Sequence, residues 1–547
     1  MNRFLVSVET VKIKEFIFST NKLKLIRGAS FLLDYLNQVE IPNILKINEV
    51  KTDDIIYIGA GNAKFFVNSK KKAEKIASEI KKLYREEAPN SKIIIAFKEV
   101  TFDGEKSIGD KKLWDSLDKL ADKIAIEKSK GFSIVNIDLP FVKKCPLCEK
   151  NPVVVSTKNL EDDLLKLNIL GEERKDFYSD LDIGELKNQI EILTDKKGYI
   201  CEECLKKLIY SMQIKAKKSG KDIALPKVGF YKMLRENRID IELKKSLDDY
   251  GDENSFIGMM YSDGDGLGDF LKNIKNIEQS EKEYLEFLKE FSKKLDETTK
   301  SSLLKALIKV SKNSEKITGE FLIVGGDDVC AVLNSKEVLK ISKEFQNIFE
   351  SEMEKYTSAK GIDSRITSSC GVVIAKAKAP MYHLFDQALT LQKNAKAKRY
   401  KNGSLKTGYI DFQVINSEAC IDLKSFREKI NSKENLIMER PYSIGKEDKS
   451  KDFQSLLNFI IKLKSKDIDF PKNKLRYIYE LKLNKDLIET EKKCEFISVL
   501  SRMEPKHIEI IRDMENIYFL NDNKFNSAFS NIFDILELYD FIDGDER

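Results

Sequence analysis

Only two histidines, His383 and His507, occur in this sequence of 547 residues. They lie more than a hundred residues apart and neither is followed by an aspartate, so no adjacent His-Asp metal pair is available. No run of about eighteen apolar residues is present, which excludes an ordinary membrane-crossing helix. The first residues, Met1-Asn2-Arg3-Phe4, do not open a secretory signal pattern, and a cytoplasmic location is expected. A surplus of one charge is also missing. With 95 Lys and Arg against 90 Asp and Glu, a net +5, total charge says little about nucleic acid, although clustered Lys and Arg would still neutralise phosphates. The 41% hydrophobic and 34% charged residues that are present suit a folded, soluble protein rather than a disordered one. The length exceeds what one core can organise and predicts about three to five domains.

The densest signal runs from Ser255 to Leu333, where two acidic tips each follow a short apolar strand. The first strand, Phe256-Ile257-Gly258-Met259-Met260-Tyr261, leads into Ser262-Asp263-Gly264-Asp265-Gly266-Leu267-Gly268. The second, Phe321-Leu322-Ile323-Val324, leads through Gly325-Gly326-Asp327-Asp328 into Val329-Cys330-Ala331-Val332-Leu333. Two apolar runs joined by a two-glycine turn predict a β-hairpin, because glycine accepts the positive φ that a tight turn demands.

Either tip alone reads as ordinary solvated turn residues. The first also opens like a calcium loop, with acids at positions one and three and glycine at six. It fails further on, since Leu267 stands at position five and Ile274 at position twelve, where a bidentate glutamate belongs. The two tips together point elsewhere. Carboxylates at the ends of adjacent strands can share a hard divalent cation, which takes oxygen ligands, about 2.0–2.1 Å away for magnesium, and this predicts a nucleotide-handling site.

With the later strand Ser368-Ser369-Cys370-Gly371-Val372-Val373-Ile374-Ala375 and the helix after it, these segments resemble the palm of nucleotide cyclases and polymerases. They resemble in particular the large catalytic subunit of type III CRISPR effector complexes, whose palm carries Gly-Gly-Asp-Asp where diguanylate cyclases carry Gly-Gly-Asp/Glu-Glu-Phe. The resemblance extends in order and spacing over nearly the whole chain. Larger members of that family carry an N-terminal nuclease domain with an adjacent His-Asp pair. The form without that domain is expected here, with no nuclease activity on single-stranded DNA.

The fold class that follows is α+β: two ferredoxin-like palm domains, a zinc-binding helical domain between them and a C-terminal helical bundle. Residues 1–140 read as a first palm, with a strand at Phe4–Val8, a hairpin through Gly59-Ala60-Gly61-Asn62, a strand at Ile93–Phe97 and a helix marked by Trp114, Leu117, Leu120, Ala121 and Ile124. It reads as a degenerate copy of the second palm: Glu9 aligns on Asp263 and Phe16 on Phe270, both 254 residues apart, and the hairpin aligns with a slightly larger offset. The second carboxylate pair is missing from it, which suggests partner packing or a base pocket rather than chemistry.

Residues 141–220 hold Cys145-Pro146-Leu147-Cys148 and Cys201-Glu202-Glu203-Cys204. Paired CxxC knuckles in an intracellular chain predict a four-thiolate zinc site, with disulfides or free thiols as the alternatives. The 52 residues between the knuckles predict inserted helices around Leu164, Leu167, Ile169 and Leu170 and around Leu186, Ile190, Ile192 and Leu193. Residues 221–254 read as a charged connector. Residues 255–415 read as the catalytic palm, with a helical insertion over Tyr284–Val310 and a helix over Tyr382–Arg399. Residues 416–547 read as the helical domain that, by resemblance, packs on other subunits; its end, Asp540–Glu546, reads as a solvated tail.

The function implied is a nucleotidyltransferase using Mg2+ or Mn2+ that converts ATP into oligoadenylates, cyclic in the resembled family, as part of an antiviral complex with other type III subunits, guide RNA and target RNA. Asp263 and Asp327 are the expected metal ligands with the Gly264 carbonyl as a neutral third, and Asp265 and Asp328 come second. Gly264, Gly266, Gly325, Gly326 and Lys396 are the expected nucleotide contacts. Lys396, 69 residues after Asp327, resembles the lysine of cyclase palms that reaches the triphosphate, although a lysine at a helix end is also ordinary. Two rival readings stay open: a non-catalytic scaffold for RNA binding, and a stand-alone cyclic-dinucleotide synthase.

Overall fold

The computed structural model describes residues 2–544 except 60, 102–111, 131–140, 170–180, 215–228, 276–279, 312–315, 363, 402–406, 417–421, 433–434, 446–451, 516–524 and 526–527. Ala60, Leu170 and Cys420 lie outside the described residues, as does the side chain of Trp114.

Apolar alternation and β-branched residues produce two sheets of related design. The first unit contains β1 (Asn2–Val11), the hairpin β2 (Ile55–Gly59) and β3 (Asn62–Val67), and β4 (Lys92–Thr101), in the order β2-β3-β1-β4. Two short strands, β5 (Val155–Ser156) and β6 (Tyr199–Ile200), pair in the cysteine module. A further short pair, β7 (Asp240–Glu242) and β9 (Lys316–Thr318), is parallel. The large sheet is built from β8 (Phe256–Asp265), the hairpin β10 (Glu320–Gly325) and β11 (Asp328–Asn334), β12 (Thr367–Lys376), β13 (Tyr409–Ile415) and β14 (Tyr442–Ser443), in the order β10-β11-β8-β12-β13-β14.

The first four strands of the large sheet repeat the small sheet in register as well as in order. Val8 faces Ala63 on one side and Ile95 on the other, as Ser262 faces Val329 and Cys370. Both hairpins also break register at the same place, between Ile55 and Tyr57 and between Phe321 and Ile323. A slip of one residue would turn every side chain to the opposite face, so agreement at both interfaces and at the bulge marks two copies of one design.

β12 is buried along all but its last residue because helices cover both of its faces. Helix Val338–Ala359 packs Leu339, Phe345 and Phe349 against Cys370, Val372 and Ile374. Helix Met381–Lys401 packs Leu384, Ala388 and Leu391 against Val373 and Ala375 on the other side, in a cluster that also contains Val8, Phe16 and Phe65 of the first unit. The two palms therefore share a core, and Phe18 meets Phe385 with ring centroids 4.8 Å apart.

The expected insertion appears as one helix of 31 residues, Glu281–Ser311. Helices Leu160–Lys166 and Ile183–Leu193 lie between the cysteine knuckles, although Ile192, read as part of their apolar stripe, is exposed. The described part of the expected connector 221–254, residues 229–254, is more than a connector: helix Gly229–Glu236 buries Phe230 and Leu234, and Phe230 packs on Phe321 at 4.9 Å. The stretch Asp540–Glu546 also departs from the expected solvated tail, since Phe541 and Ile542 within it enter the core.

Two predictions follow from the packing. A Cβ at Gly28 would lie 1.8 Å from the Lys207 carbonyl oxygen, where helix Leu23–Tyr35 crosses helix Glu202–Ile214. Gly28→Ala should therefore lower stability by about 1–3 kcal/mol through overpacking, measured as a lower urea midpoint. Glu350, which accepts from the Gly408 N–H at 2.7 Å and the Thr407 hydroxyl at 3.1 Å, is pushed up to about 7 by burial against those hydrogen bonds. The native state thus keeps a proton that the unfolded chain has lost, so this stabilisation is present below the unfolded carboxylate value and is lost as pH rises through about 7. Glu350→Gln should gain melting temperature relative to wild type between about pH 5 and pH 8; a constant difference would refute the assignment.

Candidate functional site

The acidic hairpin turns tightly. Gly325 pairs with Asp328, leaving Gly326 and Asp327 as the central residues, and Gly326 takes φ +63°. Because β8 lies between β11 and β12, the Asp263 tip comes to rest beside this turn. The approach is close: a Cβ at Gly264 would stand 2.9 Å from Asp327 Cβ and 2.9 Å from its Oδ2, so only glycine lets the tips meet. On the far side, Gly371 lets helix Met381–Lys401 settle onto the sheet, since a Cβ there would lie 2.1 Å from the Ala388 carbonyl oxygen. That contact brings Gln392, Lys396 and Arg399 over the strand end.

The sequence-predicted acids divide into two groups. Asp263, Asp327 and Asp328 are partly exposed and converge. Lys396 sets its ammonium on Asp263 Oδ2 and 2.8 Å from the Gly264 carbonyl oxygen, and Gln392 donates to Asp263 at 3.3 Å. Asp328 accepts from the Tyr261 hydroxyl at 2.9 Å. Asp265 stands apart. It is fully buried, with Oδ2 held by Ser369 at 2.6 Å and Thr367 at 3.2 Å, and has Lys396 at 3.7 Å and Arg399 at 3.9 Å.

Gly266, with φ +78°, turns the chain from β8 into helix Leu267–Lys275 against the Arg365 carbonyl and Arg399.

The electrostatics record the crowding of like charges. Burial, then the neighbouring Asp263 carboxylate, pushes Asp327 up to about 6. Burial, then Asp327 and Asp263, drives Asp328 well above the carboxylate range, and burial raises Asp265 despite its hydrogen bonds. Lys396 is raised: burial works against its charge, but Asp263 outweighs it. A single ammonium thus rests where several carboxylates and one carbonyl point, a donor set suited to a hard cation.

The four cysteines form the second site. Cys145, Cys148, Cys201 and Cys204 are buried and their sulfurs all lie within 4.8 Å of one another. Cys148 Sγ and Cys201 Sγ are 3.7 Å apart, which matches the edge of a tetrahedron with zinc–sulfur bonds of about 2.3 Å. The Cys204 N–H and the Asn151 amide both point at Cys201 Sγ, as partners of a thiolate do. The residues present fit zinc.

A scan against protein families matches residues 256–405 to "Cas10/Cmr2, second palm domain" and residues 3–142 to "Csm1 subunit domain B". Both are parts of the large subunit of type III CRISPR effector complexes, and together they take in more than half of the chain. The chain belongs to the Cas10/Csm1 family. Similar solved structures are a Csm1-Csm4 cassette in complex with pppApApA (TM-score 0.54, 13% identity, covering 98% of this chain and 69% of that one), one in complex with one ATP (0.53, 14%, 99% and 70%) and one in complex with cA3 (0.50, 13%, 98% and 70%). At such identities they speak for the fold alone. No curated protein matches in sequence. No described helix is long and apolar enough to cross a membrane.

Within this Cas10/Csm1 palm, several site residues escape sequence reading. Tyr261 reaches Asp328 through pairing of β8 with β11, and Thr367, Ser369 and Gln392 reach the acids through pairing of β8 with β12 and the seating of one helix, none of which leaves a local pattern. Asp296 and Thr299 of the long helix touch the acidic turn from some thirty residues away. The cysteine spacing, by contrast, was a full signal by itself.

Purified protein should carry one equivalent of zinc. Substituting Cys145 should release it and lower thermal stability, because a closed four-thiolate site couples metal binding to folding. Elemental analysis below roughly a tenth of an equivalent would rule the site out.

Proposed function

We propose that this protein is a nucleotidyltransferase dependent on Mg2+ or Mn2+ that joins ATP into oligoadenylates, cyclic products included, within an RNA-guided type III CRISPR complex. The observation that carries this reading is the convergence of Asp263, Asp327, Asp328 and the Gly264 carbonyl, with the Lys396 ammonium resting where a harder cation would fit. The solved relatives add support, since their Csm1-Csm4 cassettes are in complex with ATP, pppApApA and cA3. A partner subunit of the Csm4 kind, guide RNA and target RNA are accordingly the proposed partners.

Asp263, Asp327 and the Gly264 carbonyl would hold the ions. Once bound, these would offset the charge of the triphosphate and of the attacking 3′-hydroxyl's developing oxyanion. The chain's own groups prepare the place. Tyr261 fixes the rotamer of Asp328 through its hydroxyl, and Gly264 leaves the cleft between the tips open. Lys396, displaced from Asp263, has the reach to meet a phosphate oxygen. Asp265, locked by Ser369 and Thr367, keeps the end of β8 aligned on β12.

The test is incubation of the protein with each labelled NTP and Mg2+ or Mn2+, with and without partner subunit, guide and target RNA. Asp263→Ala or Asp327→Ala should cut ATP oligomerisation on the order of 10²–10³-fold, with zinc content and fold unchanged. No phosphodiester-linked product under any of these conditions would favour a scaffold. Product formed equally well by Asp327→Ala would displace the site.

A further inference from the structure

The turn that carries Asp327 and Asp328 is gripped from behind. Gly326 donates its N–H to Asp296 Oδ1 at 3.0 Å, and its carbonyl accepts from the Thr299 hydroxyl at 2.7 Å. Lys300 holds the other oxygen of Asp296 at 2.5 Å. These three residues share one face of helix Glu281–Ser311, as their spacing of three and four requires. Thr299 is fully buried, so its hydroxyl is committed.

Without these contacts, a glycine at positive φ would leave the turn with more conformational freedom than any other residue would. The long helix is itself well fixed. Phe291 packs on Phe270, on the helix that follows β8, with centroids 4.9 Å apart, and Phe287 and Phe291 lie nearly parallel at 5.8 Å. Asp296 and Lys300 also line a cleft of about 240 Å³ shared with Ile58 and Gly59 of the first unit's turn. That turn has a different hold: its Gly61 carbonyl accepts from the Thr10 N–H at 2.8 Å, within the unit.

We infer that Asp296 and Thr299 are positioning residues: from the long helix they fix both backbone groups of Gly326 and so set where Asp327 and Asp328 point. The inference rests on reading those two aspartates as cation-binding groups. A displacement of about 1 Å is enough to cost a preorganised site much of its effect, which is why the grip matters to function and not only to folding.

The experiment compares Asp296→Ala and Thr299→Val, which remove the contacts, with Asp296→Asn and Thr299→Ser, which keep an acceptor and a hydroxyl. The readouts are amide exchange of the segment containing Gly326 and the affinity for Mn2+ followed by electron paramagnetic resonance, with Asp327→Ala marking the relevant ion. Each disruptive variant should speed exchange at the turn and weaken Mn2+ binding roughly tenfold, the equivalent of one net hydrogen bond, while the conservative variants stay near wild type. In assays with product, kcat should fall without a matching change in the KM for ATP. The inference is overturned if the disruptive variants, correctly folded, keep wild-type exchange or Mn2+ affinity. It also falls if the conservative variants lose as much, which would mark mere helix packing, or if Asp327→Ala removes no ion. Neither main readout needs turnover, so a wild type that forms no product would sink the proposed activity and leave this inference to its own result.

Discussion

Mutual repulsion among the carboxylates of Asp263, Asp327 and Asp328 is the constraint on which the rest of this structure depends. Three acids at the ends of adjacent strands do not gather unless the fold forces them together and a cation relieves them. Here the fold supplies the force through contacts that admit no side chain, Gly264 against Asp327 and Gly371 against the helix that carries Lys396. The relief is partial. One ammonium meets Asp263 while burial and the neighbouring acids raise Asp327 and Asp328 toward their neutral forms.

Holding that arrangement falls to elements outside the palm. Arg27, on helix Leu23–Tyr35 of the first unit, grips Glu320 at the start of β10 with bonds of 2.8 and 2.5 Å, and Tyr250 adds a third at 3.1 Å. A buried ion pair of this kind contributes little net stability, but breaking one side of it is costly, so it specifies how the first unit docks on the acidic hairpin. The cysteine module is fastened to the same first unit. Lys207, fully buried, donates to the Phe16 carbonyl and to Ser19 and Glu203, and Asn90 and Asn151 converge on Glu203 next to Cys204. The cysteine module, first palm and acidic hairpin are thus joined by hydrogen-bonded contacts.

Much of this was legible in the residues. Apolar runs around Gly325-Gly326 called the hairpin, and helical periodicity called the helices on either side of β12. Cysteine spacing points to the cluster of four cysteines, and an offset of 254 residues points to the internal copy that the strand registers bear out. What was not legible depends on closure in space. A buried role for Asp265 follows from Ser369 and Thr367 across a strand pair, and the structured stretch around Phe230 follows from packing on Phe321. Charge in a segment's composition hid the second, since a helix that buries one narrow face can remain polar on the others.

The two copies also show what the scaffold keeps when the chemistry is absent. Glu9 occupies the strand position of Asp263, and Lys128, from the helix after β4, pairs with it at 2.5 Å, just as Lys396 from the helix after β12 pairs with Asp263. Gly61 and Asn62 stand where Asp327 and Asp328 stand, so the first turn brings no further negative charge. Lys64, half-buried nearby, is lowered by burial and by Lys128 while Glu9 supports its charge. The first site therefore has cations in excess where the second has anions in excess. A locally neutralised acid needs no external ion to fold rigidly. The first palm can consequently serve as a fixed wall against which the acids of the second are held.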